Sequence, residues 1–103
     1  MDNDTIMNKI NDSIKEVFKE YKGLYLYGSR AKNTAEPDSD YDIVMLVDKI
    51  ATLQDRYSVY DVVGDLEVEL GIFMDIHFLT EEELEIDPFY YREVVNYGKF
   101  YAI

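Results

Sequence analysis

The sequence contains no cysteine, and basic residues are scarce. Without cysteine the chain cannot form disulfides, thiolate metal sites or cysteine nucleophiles. Ten Lys and Arg residues stand against 22 Asp and Glu residues, which gives a formal charge of −12. Such a surface repels phosphate backbones at long range, so we do not expect an extended nucleic-acid footprint. It would attract a basic protein partner or divalent cations, or serve only to keep a small domain soluble.

Long apolar runs are also missing. No run is long enough to span a bilayer, and the first residues, Met1 to Asp4, are acidic rather than basic. A secretory signal needs a basic start and then an apolar stretch, so the sequence predicts a cytoplasmic protein. The length fits a single domain over residues 1–103, and 48% apolar residues support a packed core.

Apolar periodicity predicts alternating helices and strands. Helices are expected at residues 3–22, 53–70 and 88–97, with a helical turn at 30–32. Strands are expected at residues 24–27, 41–47 and 72–79. Gly23, Gly71 and Gly98 would close the three helices. The apolar side of the second helix would contain Leu53, Tyr57, Tyr60, Val63, Leu66 and Leu70. This order predicts an α/β (α+β) fold with a small mixed sheet flanked by helices.

Gly28 and Ser29 stand where the first strand ends and a helical turn begins. Such a turn points free backbone N–H groups at one spot, glycine lets a phosphate approach the backbone, and serine adds a hydroxyl. Arg30 and Lys32 could add cationic contacts. The alternative is an ordinary strand-to-helix turn with serine as an N-cap, and the dipeptide alone favours that alternative.

Asp40 and Asp42 flank one residue at the start of a strand. Alternate strand residues point to the same face, so both carboxylates project together, roughly 7 Å apart at their Cα atoms. Like charges disfavour each other's ionisation unless a cation lies between them, and magnesium prefers a few carboxylates with phosphate oxygens and water. A solvated strand end is the alternative, and the pair alone leaves the two interpretations evenly balanced.

Asp75 lies inside the apolar run 72–78. A buried, unpaired aspartate is costly, so a metal is a natural partner. The alternative is an aspartate hydrogen-bonded to backbone at a sheet edge, and the other carboxylates favour the metal. His77 would share a strand face with Asp75, and we interpret it as a core residue that takes no part in the site.

Residues 28–42 resemble a known signature. Ten residues, Arg30 to Ser39, separate Gly-Ser from Asp-x-Asp, as in the minimal nucleotidyltransferases of the DNA polymerase β-like superfamily. Asp75 stands where that family has a third carboxylate. One departure is Asn33, where the family often has glycine. Asparagine tolerates the left-handed conformation better than most residues, so we expect the turn to survive.

The resemblance implies a minimal polymerase β-like fold and transfer of AMP from ATP to a hydroxyl. Gly28, Ser29 and Arg30 would bind the nucleotide, with the first two at the β- and γ-phosphates. Asp40 and Asp42 would hold two Mg²⁺ ions. Asp75 would complete the second ion's site and could accept the acceptor's proton.

The resemblance also implies a partner. Members of the family typically occur beside a HEPN-domain protein, and several are antitoxins that adenylylate a tyrosine of that HEPN ribonuclease. This chain is therefore expected to be the antitoxin of a HEPN toxin. Two alternatives remain: a non-catalytic subunit that neutralises its partner by forming a complex, and nucleotidyl transfer to a small molecule such as an aminoglycoside. The latter usually needs a further substrate-binding domain.

Overall fold

Four strands form one mixed sheet in the computed structural model, which describes residues 1–103. The strands are β1 (Tyr21–Tyr27), β2 (Tyr41–Val47), β3 (Met74–Leu79) and β4 (Lys99–Ala102). They lie in the order β3-β2-β1-β4. β1 is antiparallel to both β2 and β4, whereas β2 and β3 run parallel. The expected mixed sheet flanked by helices is confirmed.

Four helices accompany the sheet. They are α1 (Asn3–Ile14), α2 (Leu53–Leu70), α3 (Glu81–Glu85) and α4 (Pro88–Tyr91), and α4 continues into a π-helical turn, Arg92–Asn96. Asp87 caps α4, because its carboxylate accepts from the N–H groups of Phe89 and Tyr90. None of these helices has the length and apolar character needed to cross a membrane.

The first helix is shorter than the expected 3–22. It ends at Ile14, and Phe18 folds back from the following turn into the core. Tyr21 already belongs to β1, where it pairs with Val47 and donates its hydroxyl to Asn11 at 2.9 Å. Strand pairing and this buried hydrogen bond outweigh the helical periodicity of residues 15–22. Gly23, expected as a helix cap, is a strand residue instead.

The C-terminal region also differs from the expectation. The last helix has only four α-helical residues before the π-helical turn, and β4 and α3 were not predicted. β4 pairs with β1 far back in the sequence, and a four-residue run carries no periodicity that shows this. Gly98 lies where the chain enters β4, and an added Cβ would be 2.8 Å from the carbonyl oxygen of Leu26. Only glycine allows this approach.

The two faces of the sheet are covered unequally. We call the face that packs on α1 and α2 the core face; its cluster of 19 buried residues includes Leu24, Leu26, Ile43, Met45, Ile76 and Phe78. The opposite face, which we call the site face, has a buried cluster of only four residues: Val44, Leu46, Leu84 and Val94. α3, α4 and the π-helical turn supply its cover. The alternation of side chains along each strand separates the two sets.

α2 presents a narrower apolar side than expected. Val59, Val63 and Leu66 are its buried residues. The predicted contacts of Leu53 and Tyr57 are wrong, since these residues are 63% and 56% exposed. Their positions were assigned by apolarity alone, whereas the helix contacts the sheet along the 59–63–66 stripe.

Candidate active site

Three residues form a row across the site face. Tyr27 of β1 pairs with Asp42 of β2, and Asp42 pairs in turn with Asp75 of β3. Paired residues on neighbouring strands point to the same face, with strands about 4.8 Å apart. The two carboxylates predicted from distant parts of the sequence are therefore neighbours. Asp40 stands one residue before β2 and is exposed. We call Tyr27, Asp42 and Asp75 the site row.

Asp42 is the carboxylate at the centre of the row, and its pKa is perturbed. Burial, and then the negative charges of Asp75 and Asp40, raise the pKa of Asp42 above its ordinary value, while His77 opposes this. The three carboxylates thus repel one another, and a cation among them would relieve the repulsion.

No three His, Asp or Glu side chains meet closely enough to form a complete metal cage. Magnesium does not need one, because it usually takes one or two carboxylates and completes its shell with water and substrate phosphates. The half-buried Asp42, its neighbour Asp75 and the exposed Asp40 fit that mode of binding. They suit an ion that binds together with a triphosphate better than an ion whose ligands all come from the protein.

Gly28 is required at its position for two reasons. Its φ of +73° is in the left-handed region, which side chains other than glycine's rarely adopt. A Cβ on Gly28 would also lie 2.5 Å from Oδ2 of Asp42. The carboxylate of Asp42 therefore rests against the backbone of the Gly-Ser turn. The two halves of the sequence signature are in direct contact, which their ten-residue separation does not show.

The segment after Gly28 forms consecutive turns instead of the predicted helical turn. Lys32 N–H donates to the carbonyl of Gly28 at 3.2 Å, and Thr34 N–H donates to Ser29 at 3.0 Å. Asn33 has φ +56°, so the expected left-handed asparagine is confirmed. The N–H groups of Ser29, Arg30 and Ala31 have no partner within the protein. They are free donors in the turn that follows Gly28, and successive free N–H groups in a turn can bind a phosphate.

Arg30 fastens the loop that precedes Asp40. Its Nε and Nη2 donate to the carbonyl of Ser39 at 3.2 and 2.8 Å, and Nη2 also donates to Pro37 at 3.1 Å. The guanidinium lies 4.5 Å from the centre of the Tyr41 ring. Arg30 thus ties the Gly-Ser turn to the start of β2. Its Nη1 group has no protein partner, so nucleotide binding by Arg30 stays a prediction.

Two expectations about β3 are wrong. Asp75 is not buried, since its side chain is 56% exposed, and His77 is not a core residue, since its side chain is 48% exposed. His77 Nε2 lies 3.4 Å from Oδ2 of Asp75. Both point to the site face, and the helices there cover β1 and β2 more fully than β3. The apolar run around Asp75 suggested burial on both faces, but only the core face of β3 is buried.

Sequence reasoning missed a pair of tyrosines that forms the other wall of the site. The hydroxyls of Tyr27 and Tyr90 are 2.9 Å apart, and the rings meet edge to face with centroids 5.6 Å apart. Burial first, and among the further causes the charges of Asp42 and Asp75, raise the pKa of both tyrosines. Tyr90 lies on α4, so this contact holds α4 over the β1 end of the site row.

Comparisons with known proteins give the family and the fold. Residues 8–99 match a family model described as "Polymerase beta, Nucleotidyltransferase". No curated protein sequence matches the chain. A solved toxin-antitoxin structure with AMP-PNP is 22% identical with a TM-score of 0.69, and the match covers 94% of this chain and 73% of that one.

Two further structures are similar. One contains the tri-AMPylated HEPN toxin of Shewanella oneidensis in complex with MNT antitoxin: 20% identity, TM-score 0.63, and coverage of 97% of this chain and 72% of that one. The other is assigned as a minimal nucleotidyltransferase: 22% identity, TM-score 0.61, and coverage of 100% and 97%. At these identities the similarity establishes the shared fold.

Proposed function

Because this chain belongs to the polymerase β nucleotidyltransferase family, we propose that it transfers AMP from ATP to a hydroxyl group of a protein partner. The observation that carries the proposal is the contact between Gly28 and Asp42, with Asp75 as the next residue in the row. It places free backbone donors for a triphosphate beside a group of carboxylates that repel one another.

The proposed role of each site residue follows from its position. The free N–H groups of the turn at Ser29 receive the β- and γ-phosphates, where donors in fixed positions stabilise charge without rearranging. Asp40 and Asp42 would hold Mg²⁺, which supplies charge neutralisation for the triphosphate when bound. Asp75 stands on the far side of Asp42 from this turn, and it accepts the proton of the attacking hydroxyl.

The transfer forms one bond and breaks one. The acceptor oxygen bonds to the α-phosphorus, and the bond from the α-phosphorus to the bridging oxygen breaks. Pyrophosphate leaves with that electron pair, and the acceptor's proton passes to Asp75. No covalent intermediate on the protein is required, so most of the rate enhancement would come from positioning and charge stabilisation.

The proposed acceptor is a tyrosine hydroxyl of a HEPN-domain toxin, with this chain as its antitoxin. Two of the similar structures contain a toxin with its antitoxin, and one of these toxins is AMPylated. The charge of −12 supports a basic protein surface as partner over a nucleic acid. A cytoplasmic location stays a prediction.

Neutralisation by binding alone is the competing function. Neutralisation by binding alone would not require a nucleotide site. Gly28, however, has a left-handed conformation and a close contact that position Asp42. The geometry therefore favours catalysis.

In the decisive experiment the chain is incubated with its HEPN partner, ATP and Mg²⁺, and the mass of the intact partner is measured by mass spectrometry. The unaltered chain should add the mass of AMP, and Asp42→Asn should add none while still folding, because asparagine keeps the shape that rests on Gly28. Asp48→Asn, the same substitution at an exposed residue just past the other end of β2, is the matched control and should transfer normally. Full neutralisation of the toxin by Asp42→Asn without modification would instead establish the binding function.

A further inference from the structure

β3 forms the open side of the site. Phe73, just before β3, and Asp75 and His77 within it are alternate residues and are exposed, while Ile76 and Phe78 have the opposite orientation and are buried on the core face. Phe73 is 68% exposed although it is a large apolar residue. The opposite side of the site row is closed by Tyr90. The β3 end of the row is therefore the side that is open to an acceptor.

β3 is also an edge strand, with β2 as its one neighbour. Tyr41 N–H donates to the carbonyl of Phe73 at 2.8 Å, so alternate residues from Phe73 onward direct their backbone groups toward β2. The backbone groups of the residues between them point to the outer edge. There Glu67 accepts from the N–H of Met74 at 2.9 Å, but no element of the fold pairs with Ile76 or Phe78.

We propose that this edge binds the acceptor: an extended segment of the partner protein adds to β3 as a fifth strand and places its hydroxyl-bearing residue beside Asp75. This inference rests on the proposed function and specifies how the substrate binds. An added strand would lie about 4.8 Å from β3, and its alternate side chains would fall on the site face. The residue opposite Asp75 then becomes the next member of the row that begins at Tyr27.

The neighbours of Asp75 define the sequence that would fit. Phe73 offers an exposed ring to an apolar or aromatic side chain two residues from the acceptor position. The carboxylate of Asp75 and the surrounding acidic surface favour Lys or Arg in the same segment.

A second copy of this chain is a poor occupant of the edge. Each copy carries a charge of −12, and pairing two β3 strands would bring their acidic site rows together. A free small molecule would leave the backbone groups of Ile76 and Phe78 without partners. The edge therefore suits a polypeptide of opposite charge.

Amide hydrogen exchange on the complete chain tests the docking directly. The Asp42→Asn chain, labelled with ¹⁵N, is measured alone and with the unmodified HEPN partner, so that transfer does not alter the complex. Exchange of the Ile76 and Phe78 amides should slow by about tenfold or more on binding. The amides of β4, the other edge of the sheet, serve as an internal control and should not change. Protection confined to β4 or to the helices would overturn the proposal.

Kinetics with a matched pair of variants gives the second measurement. Phe73→Ala should raise the KM for the partner by about tenfold, with kcat and the KM for ATP unchanged, because only an exposed docking contact is lost. Phe89→Ala removes a 75% exposed ring from α4, on the closed side, and should leave all three values unchanged. Equal effects of the two variants would overturn edge docking, even if transfer itself proceeds. If the unaltered chain transfers nothing, both this inference and the proposed function fail.

Discussion

The two faces of the sheet perform different tasks with the same strands. In β2, Ile43 and Met45 point to the core face beneath α1 and α2, and Asp42 and Val44 point to the site face. All of β2 past Asp42 is buried, so the strand is almost continuously apolar. Asp42 is the one residue of β2 that is only half-buried, and it lies where the helices stop covering the site face. A charged residue in an otherwise fully buried strand thus marks the edge of the covering layer.

The two faces also depend differently on packing. The core face is held by a cluster of 19 buried residues, whereas the site face relies on four and on a hydroxyl pair. Site geometry is therefore set by local contacts such as Gly28 with Asp42, and stability is set mainly on the opposite face. Substitutions on the two faces should separate activity from stability.

The largest expected effect is that of Gly28→Ala on activity. Its methyl group would meet the Asp42 carboxylate at 2.5 Å and would require a φ of +73° from alanine. Displacing one carboxylate from its position should lower kcat/KM for transfer by about 10²-fold, since ångström-scale misplacement of reacting groups costs about that much. The strain should also cost about 1–2 kcal/mol of stability.

Gly64→Ala is the matched control for this prediction. Gly64 lies inside α2, and a Cβ there would meet nothing within 4 Å. Alanine should raise the free energy of unfolding by about 0.5–1 kcal/mol and leave transfer unchanged. Similar kinetics for the two alanine variants would show that contact with Gly28 does not position Asp42.

The next effect is on stability, and it compares one truncation on each face. Ile43→Ala removes a fully buried side chain from the core face and should cost about 3–5 kcal/mol. Leu84→Ala, on α3 over the site face, should cost about 2–3 kcal/mol, because the thinner cover can collapse into the space. Urea unfolding measures both. If Ile43→Ala does not fold, Ile43→Val should still fold with a loss of about 0.5–1.5 kcal/mol. A larger cost for Leu84→Ala would reverse the ranking of the faces.

The site and the fold differ in how much of each could be predicted from the sequence. The sequence signature predicted Gly28, Ser29, Asp40 and Asp42 as site residues because their spacing is local, and Asp75 was predicted because a charge stood in an apolar run. The structure places Asp42 against both Gly28 and Asp75. The exposure of Asp75 and His77 could not be predicted, because it depends on where α4 lies over the sheet.

The errors in the fold have a similar origin. β4 is defined by pairing with β1, about 75 positions earlier in the chain, and no local pattern encodes that contact. α3 is different, because Thr80 and Glu83 form a capping box that was readable in the sequence. The Tyr27–Tyr90 pair resembles β4: the residues are ordinary, and only the tertiary structure joins them.

A smaller effect follows from the raised pKa of Asp42. The folded chain holds the proton of Asp42 to a higher pH than the unfolded chain, so ionisation of Asp42 opposes folding. This loss of stability begins near the ordinary value of 3.8 and is complete above the raised value. Asp42→Asn should therefore raise the Tm at pH 7 in EDTA, and the gain should shrink as the pH falls toward 4. Asp48→Asn should show no comparable gain in Tm. Adding Mg²⁺ should lower the difference in stability between the unaltered chain and Asp42→Asn.

The smallest expected effect concerns the hydroxyl pair on the site face. Tyr27→Phe or Tyr90→Phe leaves one half-buried hydroxyl without its partner and should cost about 1 kcal/mol, whereas the double variant should cost less than the two single costs added together. The ring packing remains, so α4 should stay in place and the apparent affinity for ATP should fall only a few-fold. Tyr97→Phe, which removes an exposed hydroxyl with no protein partner, is the control. Strictly additive costs in urea unfolding would mean that the two hydroxyls do not support each other, and that the apolar cluster alone holds α4 over the site.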